Sequence, residues 1–193
     1  EEIWDYFKDH ILRELLATQK QLRIWSAAAS SGEEAYTIAM CAAELVGLAT
    51  LKQKIAILGT DINFKVLKRA EEGIYTSEQL DGLEKDILQK YFTFVSSNFE
   101  KKGYIILDKL REVCLFRRLN LKKRPWPFKK RFHVIFCRNV LYYFDKKERE
   151  EIINALWDQT EPGGYLVVSV TESLAQIKCN WQKTSQIGVY RKG

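Results

Sequence analysis

The feature that most limits what this chain can fold into is a recurring unit. A short apolar run stops at small, acidic or polar residues and is followed at once by a stretch with helical spacing. Residues 22–29 run into Ala27-Ala28-Ala29 and lead to a helix-forming stretch over 32–49. Residues 54–62 end near Asp61, and Asn63, a suitable cap, opens a predicted helix over 63–75. The unit returns as an apolar run over 132–144, a predicted helix over 146–160, a Pro162-Gly163-Gly164 turn and a predicted strand over 165–170. Residues 177–193 read as a closing hairpin. Strands alternating with helices require a mainly parallel sheet covered on both faces, here with an antiparallel edge.

Two segments stand outside this rhythm. Ile3, Tyr6, Phe7, Ile11, Leu12, Leu15 and Leu16 fall near helical spacing, which predicts a docking helix over 3–17. Between about 76 and 119 a helical stretch gives way to β-branched and aromatic alternation with a turn signal at Lys102-Gly103. An insertion of short antiparallel strands is expected there, over about 78–112.

With 193 residues, 46% of them hydrophobic, residues 1–193 suffice for one domain with one sizeable core. No run approaches the roughly 18–20 apolar residues that a membrane-spanning helix needs, and the N-terminus resembles neither a signal nor a transit peptide. A soluble, cytoplasmic protein without membrane insertion is therefore expected. Cys41, Cys114, Cys137 and Cys179 lie far apart with no close CxxC pairing, which favours free thiols and no metal site. The net charge of +6 favours an acidic partner.

In a doubly wound sheet, ligands bind outside the carboxyl ends of the strands near the reversal of strand order, so four strand exits matter. The first, Ala27-Ala28-Ala29-Ser30-Ser31-Gly32-Glu33-Glu34, is small enough for close approach of a ligand to the backbone. Its two acids either complement the helix dipole or attract a cationic group such as an ammonium. Asp61 at the second exit either binds ribose hydroxyls or caps a helix. Asn120 at the third either meets an adenine edge or serves a turn. At the fourth, Arg138-Asn139 interrupts an apolar strand exit, and burying such a pair is costly unless something occupies it. Arg138 either meets whatever occupies that exit or pairs with Asp145 or another acid. Tyr143 either shapes a channel or belongs to the core.

The segments Arg23–Tyr36, Leu58–Ile62, Phe116–Leu121 and Phe136–Asp145 resemble, in order and spacing, the CheR family of chemotaxis methyltransferases. The resemblance implies a class I methyltransferase-like α/β fold with S-adenosyl-L-methionine as cofactor and S-adenosyl-L-homocysteine as product. It implies that Ala27, Ala28, Ala29, Ser30 and Ser31 line the methionyl part, where an acid of the Glu33–Glu34 pair also binds. Asp61, followed by Ile62, would hold the ribose, and Asn120 and Leu121 would sit by the adenine. Arg138, Asn139 and Tyr143 would border the methyl group, with Asn139 and Val140 counted to the cofactor site and Arg138 and Tyr143 as the catalytic pair. The implied reaction is methyl transfer to glutamate carboxylates on cytoplasmic helices of a chemoreceptor. Ala35 stands where the family usually has Pro, and Ser169–Ser173 where it has a Gly-His-Ser-Glu run. The family's N-terminal helical domain would precede Glu1, so transfer by this stretch alone is expected to be poor. Two other readings are a cofactor-binding sensor or docking module without transferase activity, and a methyltransferase of another acceptor such as nucleic acid. No interleaving of aromatic and basic residues supports the nucleic-acid reading.

Overall fold

A computed structural model of the chain describes residues 2–96 and 102–193. Its main sheet contains β1 (Leu22–Ser26), β2 (Ile55–Asp61), β6 (Cys114–Arg118), β7 (Phe132–Phe136), β8 (Thr160–Val167), β9 (Gln182–Lys183) and β10 (Val189–Arg191). They lie in the order β6-β2-β1-β7-β8-β10-β9. The first five are parallel, and β10 and β9 close the edge as an antiparallel hairpin. The chain moves outward from β1 to β2 and β6, then returns to place β7 on the other side of β1. The order therefore reverses between β1 and β7, which locates the ligand crevice.

The central strands β1 and β7 are buried on both faces because both faces are covered. Leu22 and Ile24 of β1 join one core with Phe7, Ile38, Leu67 and Ile106, while Trp25 joins another with Ile135, Ile152, Leu156 and Leu166. That division follows the two-residue period of a strand. All five residues of β7 are buried, as expected for a strand with neighbours on both sides and layers above and below.

The expected helix over 32–49 forms as Glu33–Val46, and that over 146–160 as Lys146–Asp158. The expected helix over 63–75 is shorter, Phe64–Glu72, capped by the Asn63 side chain. Gly73 adopts φ 64°, a left-handed conformation that ends a helix, and Ile74–Tyr75 become strand β3. The N-terminal helix runs over residues 2–18 with a π-helical middle, Phe7–Leu12, and buries Ile3, Phe7, Ile11, Leu12 and Leu15.

The turn expected at Pro162-Gly163-Gly164 is instead an irregularity inside β8. Phe132 faces Thr160 while Val134 already faces Tyr165. Gly163 has φ 75°, and a Cβ on Gly164 would lie 2.7 Å from the His133 carbonyl oxygen, so both positions need glycine.

β3, β5 (Lys102–Ile106) and β4 (Phe92–Ser96) form a separate antiparallel sheet in the order β3-β5-β4. The expected insertion, 78–112, holds β4 and β5, whereas β3 precedes it. Lys102-Gly103 opens β5 rather than forming a turn, and the connection at 97–101 lies outside the described residues. β6, sequence-adjacent to these strands, is not antiparallel but pairs in parallel with β2. Among the described residues no helix is long and apolar enough to cross a membrane, and the four cysteines are free thiols.

Candidate active site

The exits of β1, β2 and β6 and the segment after β7 enclose an open cavity of about 240 Å³. Eight of the residues singled out from the sequence line it: Ala27, Ala28, Asp61, Ile62, Asn120, Leu121, Val140 and Tyr143. Leu119, Lys122 and Phe144 complete the wall. Asp61 is held by two backbone donors, Ser30 N–H to Oδ2 at 3.0 Å and Asn63 N–H to Oδ1 at 2.9 Å. One carboxylate thus fastens the first exit to the second. Ser30 adopts φ 48°, unusual for a residue with a side chain, and this aims its N–H at Asp61. Asn120 Oδ1 accepts the Lys122 N–H at 2.9 Å, which holds the amide at the cavity edge by a local turn.

The other candidates fall outside that lining. Ala29 is buried beneath the first exit, and exposed Glu33 accepts the Ser31 hydroxyl at 2.7 Å. Glu34 and Arg138 form a second group next to the switch point. Ser26 Oγ donates to Glu34 Oε1 at 2.7 Å, and Arg138 Nη1 lies 3.5 Å from Glu34 Oε2. The guanidinium also stands 5.3 Å from the ring centre of Trp4, which stacks on Phe136 at 5.5 Å. Arg138 Nε is buried and has no hydrogen-bond partner. The acid that pairs with Arg138 is therefore Glu34. Asp145 is engaged elsewhere, as the N-cap of helix Lys146–Asp158 in a capping box with Glu148.

Burial pushes the Glu34 carboxyl up to about 7, against the lowering effects of the Ser26 hydrogen bond and the Arg138 charge; the charge of Glu172 pushes the same way as burial. Between the ordinary value of 4.5 and about 7, the folded chain holds a proton that the unfolded chain has released. Stability of the ligand-free protein should therefore fall as pH rises through this window. Binding of a cationic ammonium should tighten over the same range, because Glu34 ionises. Calorimetric melting and S-adenosylhomocysteine titrations between about pH 5 and 7.5 test both, with Glu34→Gln expected to flatten both slopes.

Asn139 is held differently. Its backbone has φ 56°, its N–H donates to Glu172 Oε2 at 2.7 Å, and its Oδ1 accepts the Ser169 hydroxyl at 2.6 Å. Beyond it, the 3-10 turn Leu141–Tyr143 carries Tyr142 and Tyr143 outward, 59% and 72% exposed. Tyr143 is a rim residue and not part of the core. Trp4, Ser26 and Glu172 escaped the sequence reading. Trp4 lies beside the apolar stripe of its helix, Ser26 lies within the first matching segment, and Glu172 lies within the Ser169–Ser173 stretch that departs from the family's run.

Residues 1–190 match the family described as CheR methyltransferase, SAM binding domain. The chain belongs to the CheR methyltransferase family. A chemotaxis protein methyltransferase of Borreliella burgdorferi is 35% identical over 89% of this chain and 61% of its own length. That of Escherichia coli K12 is 35% identical over 82% of this chain and 54% of its own. The chain thus spans between half and two-thirds of the length of these curated relatives. Among solved structures, the CcbJ methyltransferase of Streptomyces caelestis is similar with a TM-score of 0.49 and 14% identity, over 86% of this chain and 51% of that one. The fold of this CheR domain is the class I methyltransferase-like one expected from its motifs, with the closing hairpin and the small antiparallel sheet in place.

The cofactor of the CheR domain is S-adenosylmethionine, and the residues present fit it. Ile62, Leu121, Val140 and Phe144 offer apolar walls for a purine, and Asp61 offers a carboxylate for a ribose diol. Glu34, raised in pKa, and the unpartnered Nε of Arg138 are buried polar groups suited to a charged ligand.

Proposed function

We propose that this CheR domain methylates glutamate side chains on the cytoplasmic helices of a chemoreceptor, as a cytoplasmic protein-glutamate O-methyltransferase. The observation that carries the reading is Arg138 at the exit of β7, a half-buried guanidinium whose Nη1 faces Glu34 and whose Nε has no hydrogen-bond partner. Bound S-adenosylmethionine supplies an electrophilic methyl group on a sulfonium centre. The acceptor carboxylate is already ionised at neutral pH, since glutamate titrates near 4.3, so no side chain has to act as a base. What remains for the protein is orientation and exclusion of water. Arg138 presents planar donors to the acceptor carboxylate, Tyr143 borders its path at the rim, and Glu34 holds the cofactor's ammonium. The net charge of +6 suits an acidic acceptor protein. The sensor reading and the nucleic-acid reading have no comparable observation in their favour.

The test is transfer of radiolabelled methyl groups to purified receptor cytoplasmic domains by the full-length protein. Label released as methanol by mild base, as methyl esters are, is the expected result. Base-stable label, or label on RNA and none on receptor, overturns the assignment.

A further inference from the structure

Glu172 carries a different role from any residue read from the motifs. It lies in the loop after β8, is 8% exposed, and does not line the cofactor cavity. Both of its carboxylate oxygens are used by the main chain. Oε2 accepts Asn139 N–H at 2.7 Å and Ser169 N–H at 3.3 Å; Oε1 accepts Val140 N–H at 2.8 Å and Leu141 N–H at 2.7 Å. Three consecutive amides thus converge on one carboxylate. Successive N–H groups converge in this way when a left-handed residue interrupts the chain, here Asn139 at φ 56°. Such a concavity ordinarily takes an anion from outside, and here a side chain from the neighbouring strand exit fills it.

We propose that Glu172 is a positioning residue for methyl transfer, an internal anion that sets the distance and direction between Arg138 and Tyr143. This rests on the function proposed above. The three captured amides lie between the two residues along the chain, and the left-handed conformation of the first, Asn139, costs energy unless something holds it. Ser169 adds a second restraint, its hydroxyl donating to Asn139 Oδ1 at 2.6 Å. The ribose carboxylate, Asp61, and the walls Ala27, Ile62 and Leu121 come from the exits of β1, β2 and β6, and of the three held residues only Val140 lines the cavity. Loss of Glu172 should therefore disturb the reacting end of the site more than cofactor binding.

Glu172→Gln conserves shape but faces the cluster of N–H donors with a second donor in place of an acceptor. In the full-length protein we expect kcat to fall about tenfold, a size typical of small misplacements of aligned groups, with the S-adenosylhomocysteine Kd changed by less than about threefold. Hydrogen exchange of the 139–141 amides should accelerate. Unchanged kcat, or a Kd that rises as far as kcat falls, overturns the role. Should Glu172→Gln not fold, Ser169→Ala, which deletes only the hydroxyl on Asn139, is read by the same criteria. If the unmodified protein leaves receptor glutamates unlabelled, the functional reading fails. Exchange at 139–141 then still decides whether Glu172 holds the turn, with unchanged exchange refuting it.

Discussion

Asp61→Ala is expected to weaken S-adenosylmethionine binding by about 1.5–3 kcal/mol, roughly 10- to 150-fold in Kd, the scale of charge-assisted hydrogen bonds lost from a site. Asp61 ends β2, where it lies in register with Arg118, and its carboxylate is oriented before any ligand arrives by Ser30 N–H and Asn63 N–H. Two effects then add. The ribose loses its acceptor, and the first exit loses one of its ties, the Ser30 N–H to Asp61, while Ala27 N–H to Phe136 O and Ala29 N–H to Thr60 O remain. Asp61→Asn separates them, since it retains one acceptor oxygen and most of the shape. Its affinity should fall between the two. Calorimetric titration of folded protein decides the matter, and unchanged affinity in Asp61→Ala would remove this residue from the site.

Arg138→Lys is expected to lower kcat about 10- to 100-fold while cofactor affinity stays within a few fold, corresponding to about 1.4–2.7 kcal/mol of transition-state stabilisation. Lysine keeps the charge and loses the planar fork. In this site the difference is large, because the guanidinium does several things at once. One terminal nitrogen faces Glu34 at 3.5 Å, the guanidinium lies near Trp4, and the buried Nε has no partner. A single ammonium cannot span Glu34 and a second carboxylate with fixed geometry. The contact with Glu34 is long and partly solvated, so it does not by itself account for burying an arginine here. Methyl-transfer kinetics run beside product titrations separate orientation from cofactor binding. Full activity of Arg138→Lys would make the arginine a structural partner of Glu34 alone.

Much of the architecture was legible because its signals are local. Each apolar run that ends at a small residue or an acid became a strand exit, and Asn63 capped the helix it was expected to cap. The cavity residues Ala27, Asp61, Asn120 and Val140 were found as strand-exit residues, since a parallel sheet collects such exits at one end. The misjudged elements were those in which local signal and sheet geometry disagree. Pro162-Gly163-Gly164 reads as a turn, yet pairing with β7 carries the chain through it as an irregular strand. Ile74–Tyr75 continue a helical pattern, yet the left-handed Gly73 and the free edge of β5 make them a strand.

The sequence by itself determined the alternation of strands and helices, the membership in a methyltransferase family and the residues at the strand ends, because each depends on neighbours along the chain. Only the tertiary structure decided the partners of the charged groups. Arg138 meets Glu34 across 104 residues and Trp4 from the N-terminal helix, and Asn139 meets Glu172 across 33. Those pairings arise because the strand order sets β7 between β1 and β8, so that three distant exits share one small volume. A buried carboxylate there must find donors within hydrogen-bond reach, and the sheet order determines which ones stand beside it.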